Sequence, residues 1–95
     1  MNDIERKLSQ KLIGMGVLTH IRGYRYLLTA LLYAASNPKG WKIGKDIYPI
    51  IIKEYNTTTS KADRAMRYAI SLTDTRLTVS TFIASLAEEI RLERI

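Results

Sequence analysis

Apolar residues recur along most of this chain at intervals of three and four, the spacing that lines one face of an α-helix. Ile4, Leu8, Leu12 and Met15 form the first such stripe, and Gly14 and Gly16 supply its stop. The second stripe is the densest. Tyr24, Leu27, Leu28, Leu31, Leu32 and Ala35 predict a helix over residues 20 to about 35, capped by Thr19 and buried at the centre of the fold. Asn37-Pro38-Lys39-Gly40 is a turn sequence. Ile47, Ile51 and Tyr55 then mark a third helix over residues 43–55. Pro49 lies inside it, lacks an N–H and crowds the preceding turn. It either kinks that helix or stands at the first position of a shorter one. The run Pro49-Ile50-Ile51-Ile52 also has the look of a strand, but no second segment offers it a pairing partner, so helix is preferred.

Asn56 through Ser60 are almost all cap-forming residues. Ser60-x-x-Asp63 has the form of a capping box, with Thr58 or Thr59 as alternative caps. A fourth helix follows to Leu72 or Thr73 and is broken by Asp74-Thr75-Arg76. The last helix begins at residues 78–80 and carries Phe82, Ile83, Leu86, Ile90 and Leu92. Five helices with short connections predict a single all-α domain over residues 1–95, its third and fourth helices forming a helix-turn-helix.

Charge adds a class of partner to this fold. Lys plus Arg number 15 against 9 Asp plus Glu, a formal +6. That excess implies a polyanion, most simply nucleic acid, with an anionic membrane surface the weaker choice. No stretch approaches the roughly 20 apolar residues of a membrane span, and the N-terminus has no apolar signal core. The absence of cysteine excludes a disulfide scaffold, a thiolate zinc site and a cysteine nucleophile, and is compatible with a reducing compartment. The expected location is cytoplasmic, and a start at Met1 favours a complete gene product over an excised domain.

The fourth helix carries the functional signal. At 100° per residue, Ala62, Ala65, Met66, Ala69, Ile70 and Thr73 share one side, a short-chained face suited to close packing on another helix. Lys61, Arg64, Arg67, Tyr68 and Ser71 share the other. Reading DNA requires that division: one face docks on the domain, the other presents long donor side chains within the width of a major groove. The turn before it places Thr57, Thr58, Thr59 and Ser60 at a helix start, where free N–H groups favour a backbone phosphate. The competing interpretation is a solvated basic face paired with Asp63, and the net charge and capped turn weigh against it.

Three blocks of residues, in the same order, resemble a known family. His20-Ile21-Arg22-Gly23-Tyr24-Arg25-Tyr26-Leu27, preceded by Gly16-Val17, is similar to the start of the C-terminal effector domain of the master sporulation response regulator of endospore-forming bacteria. Tyr48-Pro49, then Asn56-Thr57-Thr58 and Ser60, then Arg64-Ala65-x-Arg67-x-Ala69-Ile70, resembles its helix-turn-helix. Phe82-Ile83-Ala84 and Arg91-Leu92-Glu93 resemble its final helix, so the likeness runs from about Leu12 onward. The resemblance implies an all-helical DNA-binding domain whose recognition helix, about residues 60–73, enters the major groove of double-stranded DNA. It implies base contacts from Lys61, Asp63 and Arg64, and further DNA contacts from Arg67 and Tyr68.

This chain departs from the family pattern in ways that matter. The family has Arg, Glu and His where this chain has Lys61, Asp63 and Tyr68. Lysine lacks arginine's planar two-point grip on guanine, and aspartate reaches about one methylene less far than glutamate, so a related but different base preference is expected. The family carries a phosphoaccepting receiver domain ahead of this region, where this chain has about a dozen residues. It also has a longer segment before its last helix, which this chain crosses with residues 72–79. That segment resembles the part that contacts RNA polymerase sigma factor, so the resemblance implies sigma factor as a second partner, and the shortening bears on that contact and not on DNA binding. The resemblance describes a stand-alone, shortened effector domain.

The remaining residues add little chemistry. His20 stands alone, and with no cysteine no metal site is expected; no cofactor is implied either. Trp41 is expected at the edge of the core, with Lys39, Lys42 and Lys45 around it as a second phosphate-contact patch. Tyr24, Tyr26, Tyr33, Tyr48 and Tyr55 are expected at the core boundary. Glu88, Glu89 and Glu93 share the last helix with Arg91 and Arg94, a solvated face or the edge of a self-association surface. There is no nucleophile–base pairing and no glycine-rich phosphate loop, so an enzyme is not expected. Two functions compete: a sequence-specific transcription regulator binding as a dimer or in tandem, and a protein-interaction module or antagonist docking through its last helix.

Overall fold

Each apolar stripe folds as a helix in the computed structural model, which describes residues 2–93. The helices are α1 (Asp3–Gly14), α2 (Arg22–Ser36), α3 (Tyr48–Tyr55), α4 (Thr59–Ser71) and α5 (Val79–Leu92), with no strand among the described residues. Arg94 lies outside the described residues. Leu8 and Leu12 of α1 are fully buried, and Gly16, at φ 104°, ends that helix in a conformation other residues resist.

α2 is the hub, touching all four other helices. Its buried stripe is Gly23, Tyr26, Leu27, Leu28, Ala30, Leu31 and Ala34. The expected start is corrected by two residues. Ile21, not Thr19, precedes the first helical residue in extended backbone, and no side chain caps the helix. Thr19 and His20 lie exposed in the turn before it. Tyr26 takes the buried place expected of Tyr24, which is half-buried and hydrogen-bonded through its hydroxyl to Ser9 Oγ at 2.5 Å. An apolar ring with a polar tip explains that position.

The two alternatives for Pro49 resolve together. Residues Ile43–Ile47 form one widened helical turn, in which the Tyr48 N–H donates to the Ile43 carbonyl five residues back. The chain passes without a break into α3, with Pro49 in its first turn. A proline in a regular helix would crowd a carbonyl four residues earlier and leave it without a donor, and a turn wider by one residue relieves both. Asp46 closes the start of this segment by accepting the Lys42 N–H at 2.8 Å. Trp41 is partly buried against the core, at the expected edge.

α5 packs on α2, α4 and α1. Phe82, Ile83, Leu86 and Ile90 are buried as the spacing predicts, whereas Leu92 is exposed and makes no part of the core. Its acidic residues are exposed, as a solvated face would be, and each is paired with a base. Glu89 and Glu93 both bind the Lys11 ammonium, at 2.7 and 2.8 Å, tying the end of α5 to α1. The two carboxylates raise the Lys11 pKa through their hydrogen bonds. Glu88 pairs with Arg91 on the same helix.

Candidate nucleic-acid interface

α3 and α4 are joined by residues 56–58, a turn set by three local choices. Asn56 takes the left-handed conformation (φ 51°, ψ 55°) and donates its N–H to the Ile52 carbonyl, ending α3. Asparagine, whose short polar side chain can hydrogen-bond locally, tolerates that backbone better than most residues with a side chain. Thr57 follows, and the Thr58 hydroxyl accepts the Lys61 N–H at 3.2 Å, capping α4. The capping-box reading of Ser60 is thereby corrected. Ser60 lies inside the first turn of α4, one residue past the helix start, where its N–H is already a free donor.

The two faces of α4 fall where the spacing puts them. Ala62, Met66, Ala69, Ile70 and Thr73 are buried, and Ala65 is half-buried. Lys61, Arg64, Arg67, Tyr68 and Ser71 are all exposed, Tyr68 at 55% despite its ring. The inner face rests on α2 at a crossing made possible by Gly23. A Cβ on Gly23 would lie 2.2 Å from the Ala65 carbonyl oxygen and 2.8 Å from the Ala69 Cβ. The small-residue face therefore has a specific use, which is to bring the backbones of α2 and α4 together.

The outer face is an arc with two flanks. On the α2 side, Lys61, Arg64 and Tyr68 line an open groove with Arg22, Tyr26 and Thr57. On the α3 side, the buried Tyr48 hydroxyl donates to Asp63 Oδ1 at 2.5 Å, while Arg67 Nε holds Asp63 Oδ2 at 2.9 Å. Burial raises the Tyr48 pKa, and the hydrogen bond to Asp63 raises it further, so the phenol remains a donor. Both oxygens of Asp63 are thus engaged inside the protein. Its immediate role is to orient Arg67 and to join α3 to α4. Replacing Tyr48 by phenylalanine removes a donor to a half-exposed carboxylate and should lower stability by about 1–2 kcal/mol. A urea titration checks this as a lower midpoint with an unchanged slope.

The expected contact residues do not all cluster. Thr57, Thr58, Ser60, Lys61 and Arg64 gather around the start of α4. Lys42, just before the widened turn that precedes α3, and Lys45 within it are exposed, bordering a separate hollow with Gly40, Trp41 and Asp46. Arg22 and Arg25, at the head of α2, are not singled out as contacts by the sequence. Arg22 shares the groove of Lys61 and Arg64, and both arginines line a second groove with Lys61 and Thr57. The one sequence signal is the pair of arginines around Gly23, which is silent about DNA until the crossing with α4 is known. Among the described residues, no three potential metal-binding side chains are grouped together, and no helix is long and apolar enough to cross a membrane.

A family model described as sporulation initiation factor Spo0A C terminal matches residues 8–93, nearly the whole chain. The matched span runs from within α1 to the end of α5 and takes in α2, α3, α4 and α5 whole.

Proposed function

The chain belongs to the sporulation initiation factor Spo0A C-terminal family, a family of DNA-binding transcription regulators, and on that footing we propose that it binds double-stranded DNA sequence-specifically through α4. One observation carries this reading: a capped helix, buried on its short-chained side, exposes Lys61, Arg64, Arg67 and Tyr68 on the other side after a three-residue turn. A helix about 10–12 Å across fits a major groove about 12 Å wide, and long cationic side chains on its outer arc then reach base edges. Arg64, near the middle of the arc, is the principal guanine contact, and Lys61 adds a second, single-point donor. Arg67 and Tyr68 lie to either side and meet the backbone or the groove edge. Asp63 shapes specificity through the orientation it imposes on Arg67. Thr57, Thr58 and Ser60 hold a phosphate at the start of α4, and Lys42 and Lys45 anchor the backbone from the turn before α3.

One helix-turn-helix reads only a few base pairs, so two copies on repeated half-sites about 10 base pairs apart supply useful specificity. Selection from a random duplex pool with the purified chain tests both parts. Enrichment of a short motif, recurring at that spacing, is the expected result. A pool that stays uniform through repeated rounds, with binding only in the non-specific range of about 10⁻⁴–10⁻⁶ M, overturns the reading.

A further inference from the structure

The head of α2 faces the same side of the molecule as the outer arc of α4, and its side chains there are arginines. Arg22 borders one groove with Lys61 and Arg64, and Arg22 and Arg25 border the adjoining groove with Lys61. Neither groove has a carboxylate in its lining. None of these four cations lies within ion-pair distance of an acid among the described residues, although the acids Asp3, Asp63, Glu88, Glu89 and Glu93 all hold a base elsewhere. Arg25 also borders a third hollow that holds Glu5 and Glu54, so it is the side toward Lys61 that is free of acid. Like charges gathered there repel one another in the free protein, and a polyanion reverses that repulsion.

The position of this cluster follows from the fold. Gly23 lets the first turn of α2 press against the α4 backbone at Ala65, so Arg22 stands beside the recognition helix and moves with it. The Tyr26 and Tyr55 rings, 5.1 Å apart, and the Thr29–Tyr55 hydrogen bond at 2.6 Å hold α2 to α3 as well. The three helices are therefore one rigid reading head. When α4 occupies a major groove it fills most of the width, so a group standing to its side meets the bordering sugar-phosphate backbone and not the base edges.

Resting on the reading of α4 as the recognition helix, we infer that Arg22 and Arg25 form a second DNA-binding element, which holds backbone phosphates of the strand bordering that groove. It contributes affinity and register without sequence preference. The sources of its strength are two always-charged side chains and a scaffold fixed before binding.

Fluorescence anisotropy on the selected duplex and on a scrambled duplex, each over a range of salt, tests this. The Arg22→Ala, Arg25→Ala double variant should lose affinity several-fold and to the same extent on both duplexes. The slope of log affinity against log salt should become shallower by about 1 for each phosphate no longer neutralised. Base preference should not change. The Arg22→Lys, Arg25→Lys variant should keep the wild-type slope, since a phosphate needs the charge more than the fork. Both sites are exposed, and a thermal melt superimposable on the wild type's shows the fold intact. An unchanged slope and affinity in the alanine variant overturns the inference alone, as does a loss confined to one base position. Failure of the wild-type chain to bind either duplex overturns the reading of α4 and this inference with it.

Discussion

Gly23→Ala is expected to destabilise the protein by about 1–3 kcal/mol, against the sign that helix propensity alone would give. Alanine in place of glycine inside a helix normally gains about 1 kcal/mol, because glycine loses more backbone freedom on folding. Here the added methyl would meet the Ala65 carbonyl oxygen at 2.2 Å, and a backbone atom cannot swing aside as a side-chain end can. α2 and α4 must separate by an ångström or more, which loosens the packing of both against the buried core. For a domain this size, each kcal/mol lost lowers the melting temperature by about 4–8 °C, so a fall on the order of 10 °C is expected in a thermal scan. Gly14→Ala is the matched control. Nothing lies within 4 Å of its added Cβ, so it should be neutral or mildly stabilising. Adding Ala69→Gly to Gly23→Ala relieves the 2.8 Å contact but not the clash with the carbonyl, and should restore only part of the loss. Equal effects of the two glycine substitutions would show that α2 and α4 do not cross as described.

The same crossing explains which parts of the molecule are legible in the sequence. Periodicity alone locates the buried and exposed faces of α4, because residues such as Met66 and Arg64 differ in how much they gain from leaving water. It does not say that the buried face meets Gly23, since a helix face carries no address for its partner. Caps are legible as a class and not as individuals. Thr58, Thr59 and Ser60 offer nearly the same hydroxyl, and the choice of Thr58 depends on the left-handed Asn56 two residues earlier. Pro49 poses a problem with two solutions, and a widened turn combines them, a form that regular 3.6-residue spacing does not anticipate.

The interface shows the same limit. Lys61, Arg64, Arg67 and Tyr68 are legible because they are periodic on one helix. Arg22 and Arg25 belong to a different helix more than 30 residues away, and only the tertiary contact at Gly23 joins them to the others. Asp63 is legible as a polar residue of the recognition helix, and the resemblance makes it a base contact. In the free protein its two oxygens are bound to Tyr48 and Arg67, an arrangement set by the angle between α3 and α4 that the sequence does not show. Along the arc, then, charge that is committed inside the protein lies on the α3 side, and charge that is free lies on the α2 side.

That asymmetry makes Arg64→Ala the most informative test of recognition. Arg64 is exposed, lies in the uncommitted part of the arc, and has no carboxylate within ion-pair distance among the described residues. Its removal should leave stability within about 0.5 kcal/mol of wild type, so any change in binding is a change at the DNA surface. A two-point contact with guanine is worth about 1–3 kcal/mol, and affinity for the selected duplex should fall by roughly 5- to 150-fold. The fall on a scrambled duplex should be much smaller, and repeated selection should show one base position relaxed in each half-site. Arg64→Lys separates geometry from charge. It should keep the wild-type salt slope and yet lose most of the discrimination at that position, because an ammonium cannot bind the two guanine acceptors in the plane of the base. The contrast with Arg22 and Arg25, where lysine is expected to suffice, distinguishes a side chain that reads sequence from one that holds the backbone. If Arg64→Ala left both affinity and base preference unchanged, α4 would not be the recognition helix.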